Sequence, residues 1–74
     1  MLQQEVDRIF TYQETKPDQI ERYQKIRAKA KELAELVNAA CPESREKHIA
    51  VDKIRETVMW ANAAIAVNEA ELKL

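Results

Sequence analysis

AKAKELAELVNAACPESREKHIAV, residues 28–51, joins two runs of helix-forming sequence through a Cys-Pro step. Ala, Lys, Glu and Leu, which fill its first half, are among the strongest helix formers. A proline biases the residue before it away from helical backbone, so the first helix is expected to stop at Cys41. Pro42 suits the opening of a second helix, with Glu43 placing negative charge near the positive end of the helix dipole. Ser44 and Lys47 do not form a capping box, which leaves the cap of that second helix undefined. A connection this short makes the two helices antiparallel neighbours.

Working outward, the chain upstream has a clear helix start. Pro17 needs no amide partner in a first turn, Asp18 adds favourable charge, and Thr15 or Lys16 is expected as the cap. Apolar residues follow at Ile20, Tyr23, Ile26, Ala30, Leu33, Val37 and Ala40, alternating steps of three and four as one helical face requires. Downstream, Val51, Ile54, Val58, Ala61, Ile65, Asn68 and Leu72 keep the same spacing. A second stripe runs through Ile49, Met59, Trp60 and Ala63. Two stripes exceed what one partner helix covers, which predicts pairing with further copies of the chain. The expected fold is all-α: a single domain over 1–74, with an arm at 1–16 that is irregular or briefly helical and helices at 17–41 and 43–70. These form an antiparallel two-helix hairpin that assembles into a homo-oligomeric helical bundle.

Composition agrees. There are 74 residues, no glycine and two prolines, which disfavours hairpin-rich β structure. A chain this short buries only about 60% of its unfolded surface, near the lower limit for independent stability. One Cys allows no internal disulfide, and one Cys with one His falls short of the four ligands of a structural zinc site. Self-association is the remaining source of stability. The lone Cys41 suits a reducing compartment. Twelve basic and thirteen acidic residues leave a formal charge of -1, which argues against general DNA or RNA binding while permitting a local cationic pocket. No apolar run approaches the roughly 20 residues a membrane span requires, and MLQQEVDR lacks the pattern of a secretory signal.

Few residues suggest chemistry. His48 and Cys41 have no third group to complete a triad or metal site, so the expectation is a surface His, a buried small Cys, no catalytic residue, no metal and no cofactor. Acids at helical spacing from bases, such as Glu21 with Lys25 and Glu43 with Lys47, read as solvent-facing pairs. The basic run Arg22, Lys25, Arg27, Lys29, Lys31 is by default a solvated face. Within it, Arg27 and Lys31 lie four apart and share a side, where Arg27 can fork onto a phosphate and Lys31 can supply a mobile charge. Phe10 and Tyr12 offer flat surfaces to nucleobases. Asn62 interrupts an apolar run, and its amide needs partners if buried. Trp60 suits a core, an interface or a stacking plate. On residues alone, a nucleotide site and a plain oligomeric helical module both stand, the second with the greater weight.

RIFTYQETKPDQIERYQKIRAKAKELAELV followed by ACPESREKHIAVDKIRETVMWANAAIAVNEA resembles the Acb2/Tad1 helical-hairpin domain shared by phage anti-CBASS and anti-Thoeris signal sponges. The resemblance spans about residues 8–69. It rests on the FTY…KP…RY…IR…KAKELA run, on CPESREK and on VMWANAAIA. It implies a short N-terminal element, two long antiparallel helices and a homohexamer built as a trimer of dimers. It further implies a binding protein, not an enzyme, that acts in the cytoplasm of the infected bacterial host. Its ligands would be cyclic di- or trinucleotides, or cyclic ADP-ribose isomers, that host immune systems make. Some members carry a further N-terminal domain; the likeness here is to the hairpin alone.

Carried over by position, the resemblance gives Tyr12 a stacking role against a base, and puts Phe10 in the pocket wall. It gives Arg27 a phosphate contact and places Asn62 near the ligand. Arg22 and Arg45 are motif positions with no assigned role. Two departures blur the preferred ligand: Val67 stands where relatives often have arginine, and Gln13 where they often have histidine. Two rivals remain: an oligomeric helical adaptor without a small-molecule ligand, and an enzyme that degrades the same signals.

Overall fold

The structure is a computed structural model that describes residues 2–10 and 15–69. It contains three helices, α1 (Gln3–Phe10), α2 (Pro17–Ala40) and α3 (Arg45–Asn68), and no strand among the described residues. α2 and α3 pack along their length as an antiparallel hairpin, and α1 lies against α3. Among the described residues, no helix is long and apolar enough to cross a membrane.

Each boundary has a local cause. Pro17 opens α2, Asp18 sits in its first turn, and Lys16 precedes it in an extended conformation. The Lys16 side chain has no acceptor for the first-turn amides. Instead the Gln19 side chain reaches back, and the Lys16 N–H donates to its Oε1 at 3.0 Å. α2 ends where Cys41 becomes extended ahead of Pro42, its N–H still donating to the Val37 carbonyl at 3.0 Å.

The start of α3 differs from the sequence expectation. Pro42 and Glu43 lie outside the helix, and Ser44 is the cap. Its Oγ accepts the Lys47 N–H at 3.2 Å and donates to the Pro42 carbonyl at 3.0 Å. Serine does this alone; no reciprocal Glu at the third helical position is required. Glu46, not Glu43, is therefore the first-turn acid. Glu43 is released toward the turn, where it meets His48 and Lys47.

The chain is one layer thick, with extents of 52 × 29 × 12 Å. The smallest matches a single helix diameter of about 10–12 Å. Residues between α2 and α3 are thus covered from one side by the facing helix and left open on both faces of the sheet-like pair. Tyr23, Ile26, Ala30, Ala34 and Val37 of α2, with Val51, Ile54, Val58, Ala61 and Ile65 of α3, are half-buried. No described hydrophobic side chain is fully buried; Gln19, 5% exposed, is the one buried residue among those described. Leu36, Met59 and Trp60 remain largely exposed, so Trp60 is not part of a core within one chain. Cys41, expected to be buried, is exposed, because the turn stands clear of both helix bodies.

At the open end a polar latch ties the start of α2 to the end of α3. Arg22 forks onto both Glu69 carboxylate oxygens, at 2.7 and 2.5 Å, and holds Asp18 at 3.0 Å. Gln19 Nε2 donates to Glu69 at 3.4 Å. The Arg22 fork holds the Glu69 carboxyl below the usual carboxylate range, with smaller help from Gln19. The same contact raises the Arg22 guanidinium above its ordinary value.

Candidate functional site

The basic side chains divide into two sets. Lys25 pairs with Glu21 at 3.0 Å, Lys29 with Glu32 at 3.3 Å, Lys47 with Glu43 at 3.7 Å and Lys53 with Glu56 at 3.2 Å. Arg22 is held by Asp18 and Glu69. Both sequence-expected pairs, Glu21 with Lys25 and Glu43 with Lys47, are formed. Arg27, Lys31, Arg45 and Arg55 make no ion pair among the described residues.

Three of those four unpaired cations line one groove. Arg27 and Lys31 rise from α2 and Arg55 from α3, around a floor that includes Ala30, Ala34 and Ile54. The groove holds about 390 Å³, and no acid lines it. Alanines at 30 and 34 let the floor lie low, and the 4-residue step between Arg27 and Lys31 puts both on one wall. An anion entering here meets charge that no carboxylate has already neutralised. Guanidinium groups offer it paired donors, and the apolar floor suits a flat organic ring.

The opposite face differs. Its groove, about 440 Å³, shares Ala30, Ile54 and Val58 as floor but is bordered by Lys25 and Lys29, which carry acid partners. Leu33 and Ile26 make it chiefly an apolar contact surface. A third cleft, about 370 Å³, sits at the turn and mixes charges: Lys31 and Lys47 against Glu35, Glu43 and Asp52, with His48 beside them. His48 Nε2 is engaged by Glu43 Oε1, and this contact, ahead of Lys47, holds the Glu43 carboxyl below its usual range. His48 is thus a surface side chain with a local acid partner. No group of three His, Cys, Asp or Glu residues that could hold a metal ion occurs among the described residues.

The sequence-derived candidates fall in different places. Arg27 and Lys31 come together in the cationic groove. Phe10 closes α1, 82% exposed and outside that groove's lining. Tyr12 lies outside the described residues. Asn62 is half-buried on α3, outside the groove's lining, and its Oδ1 is buried without a hydrogen-bond partner among the described residues. A buried amide oxygen left in that state costs free energy, so Asn62 calls for a donor from beyond the described residues. Sequence reasoning passed over Arg55 and read the exposed Met59 beside it only as part of an apolar stripe. Counting outward from the turn brings positions near 54 opposite positions near 30, a register from which Arg55 is reachable.

Comparison with known families gives one match: the model for the Acb2/Tad1 hairpin domain covers residues 3–66. No curated protein and no solved structure matches the chain.

Proposed function

The chain belongs to the Acb2/Tad1 hairpin-domain family, and from that premise we propose that it is an anti-defence sponge, encoded by a phage, that binds a cyclic nucleotide immune signal and holds it without cleavage. The observation that carries this reading is the cationic groove: unpaired Arg27 and Lys31 on one wall, an apolar floor and no acid. Such a surface fits an anionic ring with flat bases. Storage asks for no nucleophile, general base or metal, only for enough matched charge and enclosure that the signal leaves slowly.

Enclosure comes from further copies. A single hairpin is too thin to surround a ligand, and its apolar residues are open on both faces. In a homohexamer arranged as a trimer of dimers, a symmetric interface repeats Arg27 and Lys31 from two chains around one ring and excludes water from both. Burial there strengthens each phosphate contact. Tyr12 stacks on a base, with Phe10 beside it on the same segment. The unpartnered Asn62 oxygen accepts its hydrogen bond from a neighbouring copy or from the ligand. Host CBASS or Thoeris effectors, deprived of free signal in the cytoplasm of the infected bacterium, stay inactive.

The test is incubation of the purified protein with cyclic di-AMP, cyclic tri-AMP and cyclic ADP-ribose, followed by separation of bound ligand and heat release. Recovery of intact ligand from the protein supports the sponge. Linear product supports an enzyme, and ligand free throughout supports an adaptor; either outcome overturns the reading. In the sponge, Arg27→Ala weakens retention by about ten- to a hundredfold, as expected for loss of one charge-assisted contact.

A further inference from the structure

Arg55 is the one cation of the groove that lies on α3, and unlike Lys47 and Lys53 of that helix it makes no ion pair among the described residues. At helical spacing its neighbours are Val51, Asp52, Val58 and Met59, so Asp52 is the single acid within reach of an intrahelical pair. Asp52 faces the turn cleft with Lys47 and His48 instead. The adjacent Glu56 is committed to Lys53 at 3.2 Å. Among the described residues Arg55 therefore stands without an acid partner, in a groove whose other two cations rise from the facing helix.

Packed helices lie about 8–10 Å apart, axis to axis. Arg27 and Lys31, one turn apart on α2, line the same wall. Arg55 approaches from the other side of the floor. Charges on opposite walls suit a ligand whose anionic groups sit on opposite sides of a ring, rather than one isolated phosphate. Resting on the sponge reading above, we infer that Arg55 is a further ligand-binding residue, which holds a second phosphate across the groove from Arg27 and Lys31 and so makes the site selective for rings with two or more phosphates.

Retention of cyclic di-AMP, cyclic tri-AMP and cyclic ADP-ribose is measured by calorimetry for the wild type and for Arg55→Ala, Arg55→Gln, Arg55→Lys and Lys29→Ala, with the mass of each checked by sedimentation. For whichever ring the wild type retains, R55A and R55Q weaken binding by about ten- to a hundredfold. R55K recovers most of that loss by keeping the charge. K29A, on the opposite face and paired with Glu32, stays within about twofold. If Arg27 and Arg55 hold separate phosphates, the losses in the R27A/R55A double variant multiply. R55Q keeps the length and polarity of the side chain, so it decides the matter if R55A alters the assembled mass. Wild-type binding with R55Q equally tight overturns the inference and leaves the sponge reading intact. A wild type that retains none of the three rings overturns the sponge reading, and the inference with it.

Discussion

Leu33→Asp is expected to dissociate the proposed assembly while leaving the cationic groove untouched. Folded monomers of 8.6 kDa expose about 4,700 Å². This chain exposes 6323 Å², roughly 1,600 Å² beyond that expectation. A surplus of this size, with no described hydrophobic side chain buried, fits the proposed assembly, in which other copies would cover it. Leu33 is 49% exposed and lines the apolar groove on the face away from Arg27, Lys31 and Arg55. Full burial of a leucine is worth about 1.5–3 kcal/mol, so about half, ~0.7–1.5 kcal/mol, remains to be gained there on association. A carboxylate in its place forfeits that gain and adds a desolvation cost of several kcal/mol. Together these exceed ~3 kcal/mol per copy, more than a hundredfold in each interface. Sedimentation equilibrium at micromolar concentration reads the result: L33D shifts toward 8.6 kDa. Circular dichroism follows the helices, which weaken on dissociation because isolated helices are marginal without packing. A wild-type chain that sediments at the mass of one copy with its helical signal intact refutes the reasoning. An L33D variant with unchanged mass removes this face from the interface.

The remaining expectations concern the latch, the cap and the orphaned amide. Glu69 has a depressed carboxyl in the folded chain, so the stability it contributes is fully present above the ordinary glutamate value of 4.5 and is lost as pH falls through the depressed one. Thermal melts across that range should show a steeper acid loss for wild type than for E69Q, and parallel profiles would discount the latch. Arg22→Ala lowers the melting temperature by leaving Glu69 without its fork, whereas Arg27→Ala, which strands no carboxylate, does not. Ser44→Ala removes the Lys47 N–H acceptor and costs about 0.5–2 kcal/mol, read as a drop of about 4–8 °C per kcal/mol. Asn62→Leu lowers the assembled mass or the ligand affinity if its oxygen is satisfied from outside the chain, while a more stable variant with both unchanged shows the oxygen unpaired in the assembly.

Local features carried the helices. The Cys-Pro step, Pro17 and the three-four spacing of apolar residues are interactions among near neighbours, and such patterns survive in a one-dimensional string. The cap of α3 was harder to see, because a serine that satisfies one amide without a reciprocal acid leaves no two-residue signature. Lys25 and Lys29 were legible as solvent pairs through their acids at helical spacing. The Arg22–Glu69 fork was not, since its partners are 47 residues apart and meet only when the hairpin closes.

The sequence by itself determined three things: two long helices, a sharp reversal between them, and more apolar surface than a pair of helices can hide. It also marked Arg27 and Lys31 as neighbours on one side, a consequence of helical pitch alone. Tertiary structure decided which cations are left uncompensated and where they gather. Asp52 lies at the right spacing to neutralise Arg55, yet the packing of α3 against α2 turns it toward the turn cleft and leaves Arg55 over the groove. Charge pairing depends on which face each side chain occupies once the helices dock, and that choice belongs to the packing of the two helices together.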